Sequence, residues 1–211
     1  MAKKISQQLW IKRKESDKFF FNAKADGYRA RSVYKLLEIN KKFNILRENI
    51  SVADLGAAPG SWSQMLAEIL FKKNENSKSK VFAIDIEDMK PIERVVILKK
   101  NINEFLEESN LIKKNSLDLV LSDMAPKATG HRFTDQARST DLVEKAILFA
   151  QNYLSYKGNF VCKLLGVNNN NNSLINKVKK NYKHVKLFKP KASMKDSKEI
   201  YLICLSFNNL Q

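Results

Sequence analysis

Apolar residues along this chain fall into two patterns that take turns. Short apolar-rich runs occupy residues 52–55, 81–84, 95–98, 117–121, 160–165, 185–188 and 200–207. They read as strands. The intervening stretches suit helices. Val33, Leu36, Leu37 and Phe43 recur with helical spacing across residues 32–43, leaving Lys35 off the stripe on the polar side. Further helices are predicted from near Trp62 to about residue 71, over about 140–154 and over about 173–182. Residues 74–80 and 124–139 read as loops, and the run Asn168–Asn172 as a mobile one. This alternation predicts a single α/β domain, with a mostly parallel sheet and helices on both faces. Residues 1–28 are polar, basic and dotted with Trp10, Phe19, Phe20, Phe21 and Tyr28, as expected for a short helix or arm packed on that domain.

The first strand runs into Asp54-Leu55-Gly56-Ala57-Ala58-Pro59-Gly60-Ser61-Trp62. Gly56 and Gly60 let the backbone turn sharply and lie against a ligand, and the alanines keep that surface low. Such a turn at the carboxyl edge of a sheet suits a nucleotide-type ligand. It is neither G-x-G-x-x-G nor a P-loop, so no pyrophosphate cradle is indicated. An adenosine without phosphates fits better, and S-adenosyl-L-methionine is the common one. A turn of small residues can also serve packing alone; Asp54 before it and an exposed-looking Trp62 after it favour a site.

Other strand ends carry candidate chemistry. Asp85 ends the second strand, where a carboxylate can accept from both ribose hydroxyls of an adenosine, although a turn or cap Asp is common there. Asn101 closes the third strand and could bond an adenine edge. Asp123 ends the fourth strand in Ser-Asp-Met-Ala-Pro. Lys163 lies inside the apolar run Phe160-Val161-Cys162-Lys163-Leu164-Leu165, a costly position for an amine that is neither paired nor functional. Glu199 begins the last strand.

Charge changes the picture more than composition does. Among 211 residues, 38 Lys and Arg against 22 Asp and Glu give a formal net charge of +16. That excess implies a polyanionic partner, since basic side chains displace counterions from phosphates. A Lys- and Asn-rich genome could inflate it, yet clusters such as Lys12-Arg13-Lys14, Lys24, Arg29-Ala30-Arg31 and Lys41-Lys42 point to nucleic acid. A membrane surface is the rival, but no basic amphipathic helix with an aromatic face stands out. No apolar run has the ~20 residues that cross a bilayer, and the Lys-rich start does not read as a secretory signal. Cys162 and Cys204 sit in apolar runs, as reduced buried thiols do. With only His131 and His184 besides, no metal-ligand spacing exists and no metal is expected.

Taken in order, Lys35 in Tyr-Arg-Ala-Arg-Ser-Val-Tyr-Lys-Leu, the turn from Asp54 to Gln64, Asp123, Lys163 and Glu199 in Ser-Lys-Glu-Ile-Tyr form a recognisable series. The chain resembles the FtsJ/RrmJ family of S-adenosylmethionine-dependent ribosomal RNA ribose 2′-O-methyltransferases over about residues 7–207. The resemblance implies a Rossmann-like fold with a seven-stranded sheet whose last strand is antiparallel. It implies a catalytic tetrad of Lys35, Asp123, Lys163 and Glu199, and a cofactor site that includes Gly60, Trp62, Asp85 and Asp123; Gly56 and Asn101 join that site on the reading above. Two positions depart from the family pattern. Ser61 replaces a glycine, and Asn101 an aspartate, whose carbonyl can still accept from an adenine amino group.

The expected reaction is in-line attack of a ribose 2′-oxygen on a sulfonium methyl carbon, with Lys163 as base and Glu199 positioning Lys35 or the ribose. The N-terminal arm, Arg29 and Arg31 are expected to grip phosphates. The expected substrate is a uridine of large-subunit ribosomal RNA, the protein a monomer in the cytoplasm or in an organelle such as the mitochondrion. A transfer RNA methyltransferase shares every residue named. A nicotinamide-dependent oxidoreductase and a non-catalytic RNA-binding protein are the alternatives from other classes.

Overall fold

The structure, a computed structural model, describes residues 17–72, 76–108, 110–166, 169–194 and 196–208; most of the basic N-terminal arm lies outside them. The chain runs α1 (Lys18–Ala25), α2 (Val33–Phe43), β1 (Ser51–Leu55), α3 (Ser61–Phe71), β2 (Lys80–Asp85), β3 (Val95–Lys99), α4 (Ile102–Glu108), β4 (Leu117–Ser122), α5 (Arg132–Tyr153), β5 (Leu154–Leu165), α6 (Asn169–Lys179), β6 (Tyr182–Phe188) and β7 (Glu199–Phe207). The strands form one seven-stranded sheet in the order β3-β2-β1-β4-β5-β7-β6. Neighbouring pairs from β3 to β5 are parallel, and β7 runs antiparallel to both β5 and β6. The α/β sheet expected from the apolar pattern is present, and so is the antiparallel last strand that the resemblance implied.

Successive strand residues point to opposite faces, and this period of two sorts the core into two layers. Ala53, Leu55, Phe160, Cys162 and Leu202 pack with Phe105, Phe149 and Tyr153 beneath α4, α5 and α6. Val52, Val161, Tyr201 and Ile203 pack with Val33, Leu36, Ile39, Trp62, Met65 and Leu66 beneath α2 and α3. By the same parity Asp54, Lys163 and Glu199 belong to the α2–α3 face. These three polar residues therefore share one layer.

Four elements depart from the sequence expectation. Helix α4 was not anticipated; it is one short segment anchored by buried Ile102 and Phe105. Helix α5 starts at Arg132 rather than near residue 140, because its first turns are polar and carry no apolar period; its earliest buried residue is Ser139. Strand β5 begins at Leu154, ahead of the apolar run. Asn169–Asn172 open helix α6 instead of forming a loop; packing of Leu174, Ile175 and Val178 carries the poor helix formers with it.

Candidate active site

The edge where β1, β2 and β4 end is where the candidate residues converge. Gly56 sits at φ +74°, and its amide donates to the Ile84 carbonyl at 2.9 Å. A β-carbon there would lie 2.7 Å from Met124 Cγ and 2.9 Å from the Met124 backbone. Only glycine fits both the backbone angle and the approach of the next strand's exit. Gly60, at φ +107°, caps the start of α3 after a cis Ala58–Pro59 peptide. Its open side faces the Arg29 guanidinium and Met89 sulfur, each 2.7 Å from where a β-carbon would stand.

A cavity of about 760 Å³ opens over this turn, lined among others by Gly56, Ala58, Asp85, Asn101, Asp123 and Met124. Its size suits a nucleoside cofactor. Asp85 accepts from the Ala58 amide and the Glu87 amide, both at 2.9 Å, so its carboxylate also fixes the turn. Asn101 is the N-terminal cap of α4 rather than the end of β3: its side-chain oxygen accepts from Asn103 N at 3.0 Å, and its carbonyl accepts from Phe105 N.

Trp62 is not exposed. It is 2% accessible, its indole N–H donates to the Ser32 carbonyl at 2.8 Å, and its ring packs against Tyr201 at 5.9 Å. Helical periodicity from Ser61 turns it into the α2–α3 core layer. Neither Trp62 nor Gly60 lines the cavity, so both shape the turn from behind.

Behind the cavity two ion pairs lie side by side. Lys163 Nζ stands 3.0 Å from Asp123 Oδ1 and also donates to the Asp123 carbonyl; the two side chains are 8% and 18% exposed. Lys35 Nζ donates to Glu199 Oε2 at 2.8 Å, and Ser193 Oγ donates to the other Glu199 oxygen at 2.7 Å. Lys35, on the polar side of α2, thus faces β7 rather than solvent. Tyr201 joins the pairs: its hydroxyl donates to Asp123 Oδ1 at 2.6 Å, and the Lys35 amine lies 6.0 Å from its ring centre. Burial first, then the negative charges of Asp123 and Glu199, push the Tyr201 phenol well above its ordinary value, so it stays a donor. Sequence reasoning passed over Tyr201, although the period of two from Glu199 puts it on the same face. All four members of the expected tetrad are brought together, with Asp123 as the one that reaches both the amine and the cavity.

Asp54 lies under this group, fully buried. Its Oδ2 accepts from Ser63 Oγ at 2.7 Å, while Oδ1 finds no hydrogen-bond partner among the described residues. Burial pushes its carboxyl up to about 7 against the lowering effect of the Ser63 hydroxyl, and the charges of Asp123 and Asp85 add to the rise.

Arg29 and Arg31, expected to grip phosphates, are engaged within the fold. Arg29 donates to the carbonyls of Pro59, Lys90 and Pro91 at 3.1, 2.8 and 2.8 Å. Arg31 pairs with Asp17 and donates to the Ala192 carbonyl. Both brace the turn and the segment before β7.

A parallel sheet with one antiparallel strand, a small-residue turn after β1 and an acid at the end of β2 define a nucleoside-cofactor α/β protein, here with a buried amine beside the cavity. The sequence profile of the FtsJ-like methyltransferase family matches residues 28–207. The chain belongs to that family. It is 40% identical to the ribosomal RNA large subunit methyltransferase E of Rickettsia bellii over 204 residues, covering 96% of this chain and 89% of that one. It is 41% identical to the Neorickettsia sennetsu protein of the same name over 201 residues, 95% of this chain and 92% of the other. Among solved structures, a ribosomal RNA methyltransferase from Plasmodium falciparum superposes with a TM-score of 0.70 at 29% identity, over 85% of this chain and 98% of its own.

Proposed function

We propose that this protein transfers the methyl group of S-adenosyl-L-methionine to a ribose 2′-hydroxyl of large-subunit ribosomal RNA, with Lys163 as the base. The observation that carries the reading is the Lys163 amine, buried and held 3.0 Å from the carboxylate of Asp123, a residue that also lines the cavity. The names of the relatives supply the substrate class. The cavity fits the cofactor, since its volume of about 760 Å³ accommodates an adenosine and Asp85 and Asn101 retain lone pairs or amide hydrogens for it. When bound, the cofactor supplies an electrophilic methyl carbon on a sulfonium.

The chain's own residues do the rest by holding positions. Asp85 accepts from ribose hydroxyls, and Asn101 meets the adenine edge. Asp123 fixes the Lys163 amine, which in its neutral form accepts the proton leaving the 2′-oxygen. Tyr201 holds Asp123 in turn. The Lys35–Glu199 pair stands beside them and orients the incoming ribose. Phosphates of the RNA meet the surface lysines that give the chain its basic charge.

The test is incubation with labelled cofactor and separated ribosomal subunits, ribosomal RNA and transfer RNA. Label in large-subunit RNA within an alkali-resistant dinucleotide is the expected result. Label confined to transfer RNA moves the substrate; no label in any fraction overturns the reading.

A further inference from the structure

The first two turns of α5, residues 132–138, bury no side chain of their own. They stand at the cavity's rim, because Arg138, Asp141 and Leu142 of the same helix line that cavity, as do Pro126 and Lys127 of the preceding loop. A helix end that adds nothing to the core costs conformational entropy without an internal return. It is nevertheless tied down: the Asp135 carboxylate accepts from Thr129 N and Thr129 Oγ1 at 2.8 and 2.6 Å and from Gly130 N at 3.2 Å. Those bonds hold its carboxyl below the usual range, with Arg138 contributing.

On this braced tip sits Phe133, 87% exposed, the most exposed large apolar side chain among the described residues. Around it in sequence are His131, Arg132 and Arg138, none of them in an ion pair among the described residues. Among the described residues, Lys127 pairs with the exposed Glu87, at 3.1 Å. An exposed aromatic among cations is the combination with which proteins hold unpaired nucleotides, the ring stacking on a base and the cations meeting its phosphates. A protein partner would favour a wider apolar patch; here the exposed apolar element is a single ring with basic residues on either side of it in sequence.

We infer that Phe133 is a base-stacking residue for an unpaired RNA nucleotide next to the methylated one, with Arg132 and Arg138 holding the flanking phosphates. This rests on the proposed function and deepens it. Phe133 lies five residues before Arg138, about 7.5 Å along the helix axis and about 140° around it, so its base belongs to a nucleotide outside the cofactor cavity. The stack would order that nucleotide and present the target ribose to Lys163.

The experiment compares wild type, Phe133→Ala, Phe133→Tyr and Phe133→Trp, all at an exposed position that leaves the core alone. With the methylated RNA fraction as substrate, Phe133→Ala should lower kcat/KM about tenfold or more, as the loss of one base–aromatic stack does. Phe133→Tyr should restore most of it, and cofactor affinity should be unchanged in all variants. A wild-type rate in Phe133→Ala overturns the inference while leaving the proposed function intact. If wild type methylates no RNA, the proposed function fails, and the inference is decided by fluorescence. The extra emission of Phe133→Trp over wild type should be quenched by single-stranded RNA and not by duplex. Quenching by neither, or only by ribosomal protein, overturns it.

Discussion

Lys163 and Tyr201 are direct partners across the antiparallel β5–β7 pair, and both reach the same oxygen, Asp123 Oδ1, at 3.0 and 2.6 Å. The antiparallel strand makes this possible. It brings Tyr201 and Glu199 back to the edge where the parallel strands end, on the face covered by α2. Tyr201→Phe keeps the ring that packs on Trp62 and removes the hydroxyl. A hydrogen bond to a charged group is worth about 1.5–3 kcal/mol, so kcat should fall roughly tenfold or more with the fold retained. Steady-state kinetics beside a thermal melt check this. An unchanged kcat would show that the hydroxyl does not hold the carboxylate for catalysis.

The Asp54 carboxyl, raised to about 7, links pH to stability. In the unfolded chain it ionises near ~3.9. Between about pH 4 and 7 the folded state keeps its proton while the unfolded state has lost it, so folding weakens as pH rises, by up to about 1.4 kcal/mol per unit from this group. Asp54→Asn, which can still accept from Ser63, removes that dependence. Denaturant unfolding of both proteins across pH 4–8 should show the variant gaining on wild type until about pH 7 and holding a constant difference above it. Parallel curves throughout would rule out a buried titrating Asp54.

Gly56→Ala tests the cradle. The added carbon would meet Met124 at 2.7–2.9 Å from a left-handed backbone, at a cost of roughly 1–3 kcal/mol. Gly130→Ala is the control: it carries the same backbone penalty at φ +85° with no atom within 4 Å. Calorimetric titration with the cofactor should show weaker binding for the first variant alone. Equal binding in both would place the ligand elsewhere.

Much of the fold was legible because the strands write themselves as short apolar-rich runs, and the turn after β1 needs glycine where Met124 crosses. The polar residues inside those runs, Lys163 above all, marked the site because burial makes them conspicuous. What escaped was carried by tertiary context. The extension of α5 has no apolar period to announce it, and α6 begins in asparagines that only its packed second half makes helical. Trp62 looked exposed beside a turn of small residues, yet its place in the helix turns it inward. Arg29 and Arg31 looked like phosphate ligands because the chain cannot show which carbonyls will fold back onto them. Tyr201 was within reach of the strand's period of two, once Glu199 was accepted as facing the site.

The account depends on Lys163 taking the proton from the 2′-oxygen, and Lys163→Ala measured for binding and turnover together addresses it most directly. Single-turnover methyl transfer to the RNA substrate should be abolished in the variant, while calorimetry gives a cofactor Kd close to that of wild type. Retained transfer, or a loss of cofactor binding equal to the loss of turnover, would contradict the role assigned to that amine.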